Sequence, residues 1–187
     1  MAMAMAMDVG WAALQWAGLE HVVVYASGDG CDAEGQLIMA EQGLVTVRYS
    51  LTCGPDWRFR TLTMSVRSAA GQRILTLARR PAGGWLADGR PRPDLGGCDD
   101  IDINCTPLTN TLPIRRLDWA AGQAYDIDVA YVSVPELEVR KARQRYTRLG
   151  AEAFRYESES FLADLEVDAD GIVLDYPGIW RRLGDAA

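Results

Sequence analysis

Short stretches in which apolar and polar residues alternate recur along most of this chain, and this period of two restricts its fold more than any other feature. In residues 44–53, for example, Val45, Val47, Tyr49 and Leu51 would share one face of an extended segment. Turns rich in glycine, proline and aspartate separate such stretches about every 8–12 residues. Roughly a dozen short strands at this spacing predict an all-β sandwich, barrel or roll.

Three local features refine this prediction. Between residues 57 and 67 the apolar positions change face near Thr61, which predicts a β-bulge or a strand that crosses from one environment to another. Residues 106–113 are interpreted as an irregular loop, because Pro107 and Pro113 cannot donate to a central strand. The tail at residues 177–183 is predicted to be a single helical turn or a short edge strand.

The 187 residues contain no linker that divides the pattern, so residues 11–187 are predicted to form one domain. The first ten residues begin with a Met-Ala alternation that lacks the basic and apolar regions of a signal peptide. We expect residues 1–10 to be a disordered end or one added for expression.

Charge and cysteine content restrict the partners and the compartment. A net charge of −7 argues against nucleic acid, because phosphate binding requires a basic surface. No apolar run reaches the roughly 18 residues that a transmembrane helix needs. The four cysteines show no CxxC spacing and are interpreted as reduced, partly buried thiols, so a cytoplasmic location is expected.

No motif for a known chemistry is present. The single histidine, His21, lies beside three valines, and zinc-finger spacings, phosphate-binding loops and a nucleophile elbow are all missing from the sequence. Residues 100–104 and 166–171 imitate calcium loops but lack the required residue at the twelfth position. No cofactor, metal or catalytic residue is therefore predicted, and a non-catalytic role is favoured.

The stretch CDDIDINCTPLTNTLPIRRL, residues 98–117, is unusually rich in hydrogen-bonding groups. On a strand, Asp100, Asp102 and Asn104 would point to one side, away from the intervening isoleucines. One interpretation is structural: a crossover whose polar groups satisfy one another, with Arg115 or Arg116 paired to one of the two aspartates. The other is functional: the same groups line a concave site and bind ligand hydroxyl groups, as sugars require.

A second cluster is basic. Six of the 19 Lys and Arg residues fall between residues 137 and 161, with Tyr146 and Tyr156 among them. These cations are Arg140, Lys141, Arg143, Arg145, Arg148 and Arg155. They could bind an anionic ligand, but we favour neutralisation of neighbouring acidic side chains.

The stretch at 98–117 resembles a family of small bacterial glycolipid-binding proteins that was formerly listed as a domain of unknown function. The resemblance continues in VAYVSVPELEV at 129–139, in QRYTRL at 144–149 and in VDADGIVLDYPG at 167–178, and it covers nearly the whole chain from about residue 11. It implies a single rolled antiparallel sheet, or half-open β-barrel, similar to the bacterial lipoprotein carriers. It also implies binding of a glycolipid or another amphiphile.

In a roll of this type an apolar interior would hold the lipid chain, and polar groups at the mouth would bind the headgroup. The candidate mouth residues are Asp100, Asp102, Asn104, Thr109, Asn110, Arg115, Arg116, Arg145 and Tyr146. Candidates for stacking on a sugar are Trp57, Trp85 and Trp119.

Two further functions stay open. One is a hydrolase that acts on a sugar or a lipid ester through the acidic cluster, with Asp100 and Asp102 as the candidate carboxylates. The other is a structural or interaction module without a ligand. The size and lining of any cavity behind residues 100–116 distinguish these possibilities from the binder.

Overall fold

The computed structural model describes residues 5–41, 43–159 and 161–184, and nearly all regular structure in them is β-strand. The strands are β1 (Met5–Ala13), β2 (Gly18–Ser27), β3 (Gly30–Ala40), β4 (Leu44–Cys53), β5 (Phe59–Ser68), β6 (Gly71–Arg79), β7 (Trp85–Ala87), β8 (Arg90–Pro91), β9 (Asp100–Ile103), β10 (Ala124–Ser133), β11 (Glu138–Arg148), β12 (Ala153–Ser158), β13 (Phe161–Val167), β14 (Val173–Tyr176) and β15 (Trp180–Leu183). One short helix, α1 (Thr111–Arg116), follows a 3-10 turn at Leu108–Asn110.

All these strands belong to one sheet, in the order β8 to β1 followed by β15 down to β9. Consecutive strands pair antiparallel on both sides of the β1–β15 contact, so the first and last strands meet in the middle of the sheet. The one parallel pair in the described part of the chain is β9 with β10. The two edges, β8 and β9, follow each other along the chain without pairing, so the predicted half-open roll is confirmed.

Side chains join the segment that follows β8 to strand β11 across the open side of the roll. Arg92 donates to the carbonyl oxygen of Val139 at 2.6 Å, and the Lys141 ammonium donates to the carbonyl oxygen of Gly96 at 2.8 Å. These contacts join the β8 side of the roll to β11. They satisfy backbone oxygens at the opening, where no strand ladder is available.

Strands β2–β6 form what we call the apolar half of the roll. In β3 and β4 the interior row alternates with an outer row that is largely exposed, and Leu37, Val47 and Leu51 are 0% exposed. The register between β4 and β5 shifts at Thr52 and Cys53, and the predicted change of face near Thr61 is therefore confirmed.

The segment predicted to be an irregular loop, residues 106–113, is partly helical, which corrects that interpretation. The 3-10 turn and α1 run across the interior, where Leu108 and Leu112 join the larger apolar cluster and Ile114 joins a smaller one. Pro113 is tolerated because it lies in the first turn, where its missing N–H has no helical partner to lose.

The chain ends also differ from the prediction. Residues 5–10 are not a disordered end, because they pair with β2 over most of β1, whereas residues 1–4 lie outside the described residues. The tail is a strand, β15, but it lies inside the sheet between β14 and β1 rather than at an edge. The prediction of one domain over residues 11–187 stays a prediction, and the single continuous sheet supports it.

The four cysteines, Cys31, Cys53, Cys98 and Cys105, are buried free thiols in the structure. Among the described residues, no helix is long and apolar enough to span a bilayer.

Candidate functional site

Strands β9–β14 form what we call the polar half of the roll, and their concave side contains a cavity of about 270 Å³. Its inner wall is made of buried residues, among them Asn110, Gln144 and Tyr156, which are 3–6% exposed. Its rim carries exposed residues, so the cavity opens to solvent. The rim residues are Asn104, Arg140, Arg143 and Glu159. We call it the tyrosine cavity, because Tyr131, Tyr156 and Tyr176 line it.

Strand register places the main polar groups of this cavity in one row. Asp102 in β9 lies opposite Tyr131 in β10, which in turn lies opposite Arg140 in β11. Residues directly opposite each other on paired strands point to the same side of a sheet. Gln144 lies four positions after Arg140 and therefore faces the same side.

Asp102 is the central polar group of the inner wall. Its Oδ1 accepts a hydrogen bond from Thr109 Oγ1 at 3.1 Å, and its Oδ2 accepts one from Gln144 Nε2 at 2.6 Å. The same amide nitrogen donates to the Tyr156 hydroxyl at 3.0 Å. Burial raises the pKa of Asp102, and the hydrogen bonds from Gln144 and Thr109 offset this shift in part.

The tyrosines supply neutral hydroxyl groups and apolar ring faces. Burial, together with the nearby Asp102 carboxylate, raises the pKa of Tyr131, Tyr156 and Tyr176, so their hydroxyls stay protonated near pH 7. Tyr156, Tyr176 and Phe161 contact one another with ring centroids 5.8–6.2 Å apart. A carboxylate, an amide and phenol groups beside aromatic rings suit a ligand with both hydroxyl groups and C–H faces.

Three residues predicted for the mouth line this cavity: Asp102, Asn104 and Asn110. Two more lie directly behind it. Thr109 donates to Asp102, and the Tyr146 hydroxyl donates to Asn110 Oδ1 at 2.8 Å. These contacts hold the inner-wall groups in place.

The other predicted mouth residues lie elsewhere. Asp100 and Arg116 form a buried bidentate ion pair at 2.6 and 3.0 Å, as the structural interpretation of this stretch expected. Arg115 covers the Trp57 ring at 4.6 Å and donates to the carbonyl oxygen of Asp170. Arg145 lies on the outer face of β11, where it pairs with Asp126 at 3.0 Å.

The three tryptophans predicted to stack on a sugar do not line the cavity either. Trp57 is covered by Arg115, and Trp85 is buried in a stack with Phe59 at 4.9 Å. Trp119 packs edge-on against Phe154. The tryptophan that does line the cavity is Trp180.

Comparison with known proteins agrees with the geometry of the roll. A family model described as "Putative glycolipid-binding" matches residues 8–182. The chain belongs to this glycolipid-binding family. A crystal structure of a DUF1089 family protein from Pseudomonas aeruginosa superimposes with a TM-score of 0.80 at 39% identity, over 88% of this chain and 92% of that one. No protein with a curated description matches.

Several cavity residues of this glycolipid-binding family member were not predicted as site residues. Tyr131, Gln144, Phe161 and Tyr176 all line the cavity. Tyr131 could have been found only from the parallel register of β9 and β10, which an alternation pattern does not encode. Gln144 could have been found from β11 alone, because it shares a face with Tyr146.

Another buried carboxyl group, that of Glu20, lies on the other side of the interior. Glu20 is 0% exposed; its Oε1 accepts a hydrogen bond from the Tyr49 hydroxyl at 2.7 Å, and its Oε2 has no hydrogen-bond partner among the described residues. Burial raises the pKa of Glu20 to about 7. The Tyr49 hydroxyl lies 3.5 Å from Thr106 Oγ1, and Thr106 lines the tyrosine cavity, so the two polar clusters adjoin.

Proposed function

We propose that this protein binds the sugar headgroup of a glycolipid in the tyrosine cavity and does so without catalysis. The observation that carries the proposal is Asp102, a half-buried carboxylate held by Thr109 and Gln144 on the inner wall of an open, aromatic-lined cavity. Such a carboxylate accepts hydrogen bonds from vicinal hydroxyl groups, while the ring of Tyr176 covers the apolar side of a sugar.

The size of the cavity restricts what it holds. At about 270 Å³ it lies below the roughly 300–1,000 Å³ that encloses a drug-sized ligand, so it suits a sugar ring rather than a sugar with its lipid chain. The interior behind residues 100–116 is packed, with Ile101, Ile103 and Leu108 only 1–2% exposed. The proposal therefore differs from the expected chain-in-roll arrangement: the lipid chain leaves the cavity past the partly buried Phe161 and Ile179 at its lining.

One observation favours a second candidate, the hydrolase. A carboxyl group with a raised pKa, such as that of Asp102, can act as a general acid. A glycosidase needs a second carboxylate across the same cavity, and Glu159 on the rim is the candidate partner.

The proposal is tested by calorimetric titration with octyl glucoside and with octyl tetraethylene glycol, which has the same tail and no sugar, below their micelle-forming concentrations. The expected result is binding of the glucoside only. Asp102→Asn should weaken it roughly tenfold or more, because a hydrogen bond to a charged group is lost. Asp164→Asn, a matched change in an exposed ion pair with Arg155, should leave binding unchanged.

Equal affinity for the two amphiphiles would overturn the headgroup assignment. Release of glucose from octyl glucoside that disappears in Asp102→Asn would favour the hydrolase instead. Native mass spectrometry of protein purified from its own host identifies the bound lipid. If that protein carries no amphiphile and also fails to bind the probes, the structural module is favoured. The expected cytoplasmic location stays a prediction, which the free thiols support.

A further inference from the structure

Five of the six cations in the basic segment have protein partners. Lys141, Arg143, Arg145 and Arg155 each lie within 2.7–3.5 Å of an aspartate oxygen, and Arg148 donates to the carbonyl oxygens of Trp119 and Gly150. Neutralisation of acidic side chains therefore accounts for four of these residues, and backbone hydrogen bonds account for Arg148. Neutralisation does not account for Arg140, which forms no ion pair with any of the described residues.

Arg140 is also held at a defined position on the cavity lining. Its guanidinium carbon lies 4.7 Å from the centroid of the Tyr131 ring, in a cation–π contact. A guanidinium that stacks by its face keeps its N–H groups directed outward at its edge. The group is exposed at the cavity rim, in the same cross-strand row as Tyr131 and Asp102. It is a prearranged donor for an oxyanion, which guanidinium binds through two parallel hydrogen bonds.

The charges around the cavity determine where an anion can lie. Asp102 on the inner wall and Glu159 on the rim both repel one, whereas Arg140 and Arg143 on the rim attract it. Arg143 already pairs with Asp126, so Arg140 is the rim cation without a carboxylate partner among the described residues. A ligand with its hydroxyl groups at Asp102 would therefore have its negative charge at the rim, where the lipid chain begins.

We propose that the ligand is an anionic glycolipid in which a phosphate joins the sugar to the apolar chain, and that Arg140 binds this phosphate. The inference rests on the proposed headgroup site and specifies its ligand class. The sugar occupies the cavity, the phosphodiester lies against the Arg140 guanidinium, and the chain lies outside.

The experiment compares four soluble probes by calorimetry: octyl glucoside, the octyl phosphodiester of glucose 1-phosphate, octyl glucuronide and octyl phosphate. The wild-type protein should bind the phosphodiester roughly 10- to 100-fold more tightly than octyl glucoside, the range for a charge-assisted hydrogen bond. Arg140→Gln should abolish this preference by lowering the affinity for the phosphodiester to that for octyl glucoside. Arg155→Gln removes the same charge from an exposed ion pair and should preserve the preference.

Each other outcome overturns the inference in a recognisable way. Equal binding of the neutral and phosphorylated glucosides overturns the anionic ligand and leaves the sugar site standing. Tighter binding of octyl glucuronide than of the phosphodiester replaces the phosphate by a ring carboxylate. If octyl phosphate binds as tightly as the phosphodiester, the sugar does not contribute to binding. If Arg155→Gln loses the preference equally, the net charge of the protein causes it, and a specific contact with Arg140 does not. Failure of all probes overturns the proposed function itself, and thermal denaturation shows whether each variant is folded.

Discussion

The two halves of the roll use the same alternation of side chains for different purposes. In the apolar half, the interior row consists of residues such as Leu37, Leu51 and Leu62, which are at most 1% exposed and pack against one another. In the polar half, the corresponding positions carry Asp102 and Gln144, which line an open cavity. Each strand contributes one row of side chains to the interior, and that row can be apolar in some strands and polar in others. One half of the sheet can therefore form a dense, dry core while the other half carries ligand-binding groups.

The two halves also differ in how completely the carboxyl groups of their interiors are hydrogen-bonded. In the polar half, Asp100 has two hydrogen bonds from Arg116, and Asp102 has one from each of two neutral neighbours. The apolar half contains Glu20, which is buried with one oxygen unpartnered among the described residues. The following variants test this contrast, from the largest expected effect to the smallest.

The buried ion pair of the polar half should give the largest change. Arg116→Ala leaves Asp100, which is 0% exposed, without its cation, and burial already raises the pKa of this carboxyl group. We expect a loss of about 3–5 kcal/mol in the free energy of unfolding, measured by urea denaturation at pH 7. A loss under about 1 kcal/mol would mean that Asp100 finds water or another donor, and that the polar half is not preorganised.

The buried carboxyl group of Glu20, in the apolar half, should make the free energy of unfolding depend on pH. Its pKa is about 7 in the folded protein and 4.5 in the reference state, so the folded protein keeps a proton that the unfolded chain loses between these values. Stability therefore falls as pH rises from about 4.5 to 7, by roughly 3 kcal/mol. Glu20→Gln should remove this decrease of the free energy of unfolding with pH, measured by urea denaturation at pH 4.5, 6 and 8. Parallel slopes for the variant and the wild type would contradict the burial of an ionisable Glu20.

The close approach of Gly35 to Tyr49 allows a test of packing in the apolar half that changes no charged group. A Cβ atom on Gly35 would lie 2.1 Å from Tyr49 Cζ, so the ring must move if this glycine is replaced. Gly35→Ala should destabilise the protein by about 2–3 kcal/mol in thermal denaturation, because overpacking forces shifts in a dense core. Gly28→Ala is the matched control, since a Cβ atom at Gly28 would meet nothing within 4 Å beyond its chain neighbours. Similar melting temperatures for the two variants would show that the ring of Tyr49 can move freely.

The exposed ion pair of the polar half should give the smallest change. Arg155 pairs with Asp164 at 2.7 Å on the outer face. Arg155→Ala should cost less than about 1 kcal/mol in urea denaturation, because solvent screens exposed charges. A loss equal to that of Arg116→Ala would remove the distinction between buried and exposed pairs on which the first prediction depends.

The alternation pattern was sufficient for the strands and for the change of face near Thr61, because both depend on residues close together in the chain. The roll was implied by the family resemblance, since its pairing of β1 with β15 connects distant segments. The sequence was insufficient for the site. Arg145 and Tyr146 were both predicted at the mouth, yet adjacent residues of a strand point to opposite faces, so only one of them could lie inside. Tyr131 was missed because it reaches the site through the parallel pairing of β9 and β10, which connects distant segments.

The most direct test of the central claim is a titration series with alkyl glucosides whose chains differ by eight carbons, butyl against dodecyl, below their micelle-forming concentrations. A chain buried inside the roll would add about 0.8 kcal/mol per CH₂, or roughly 6 kcal/mol over eight, which is more than a ten-thousandfold gain in affinity. With the sugar in the tyrosine cavity and the chain outside, we expect a gain of less than about a hundredfold. An affinity that rises steeply with every added carbon would contradict this arrangement.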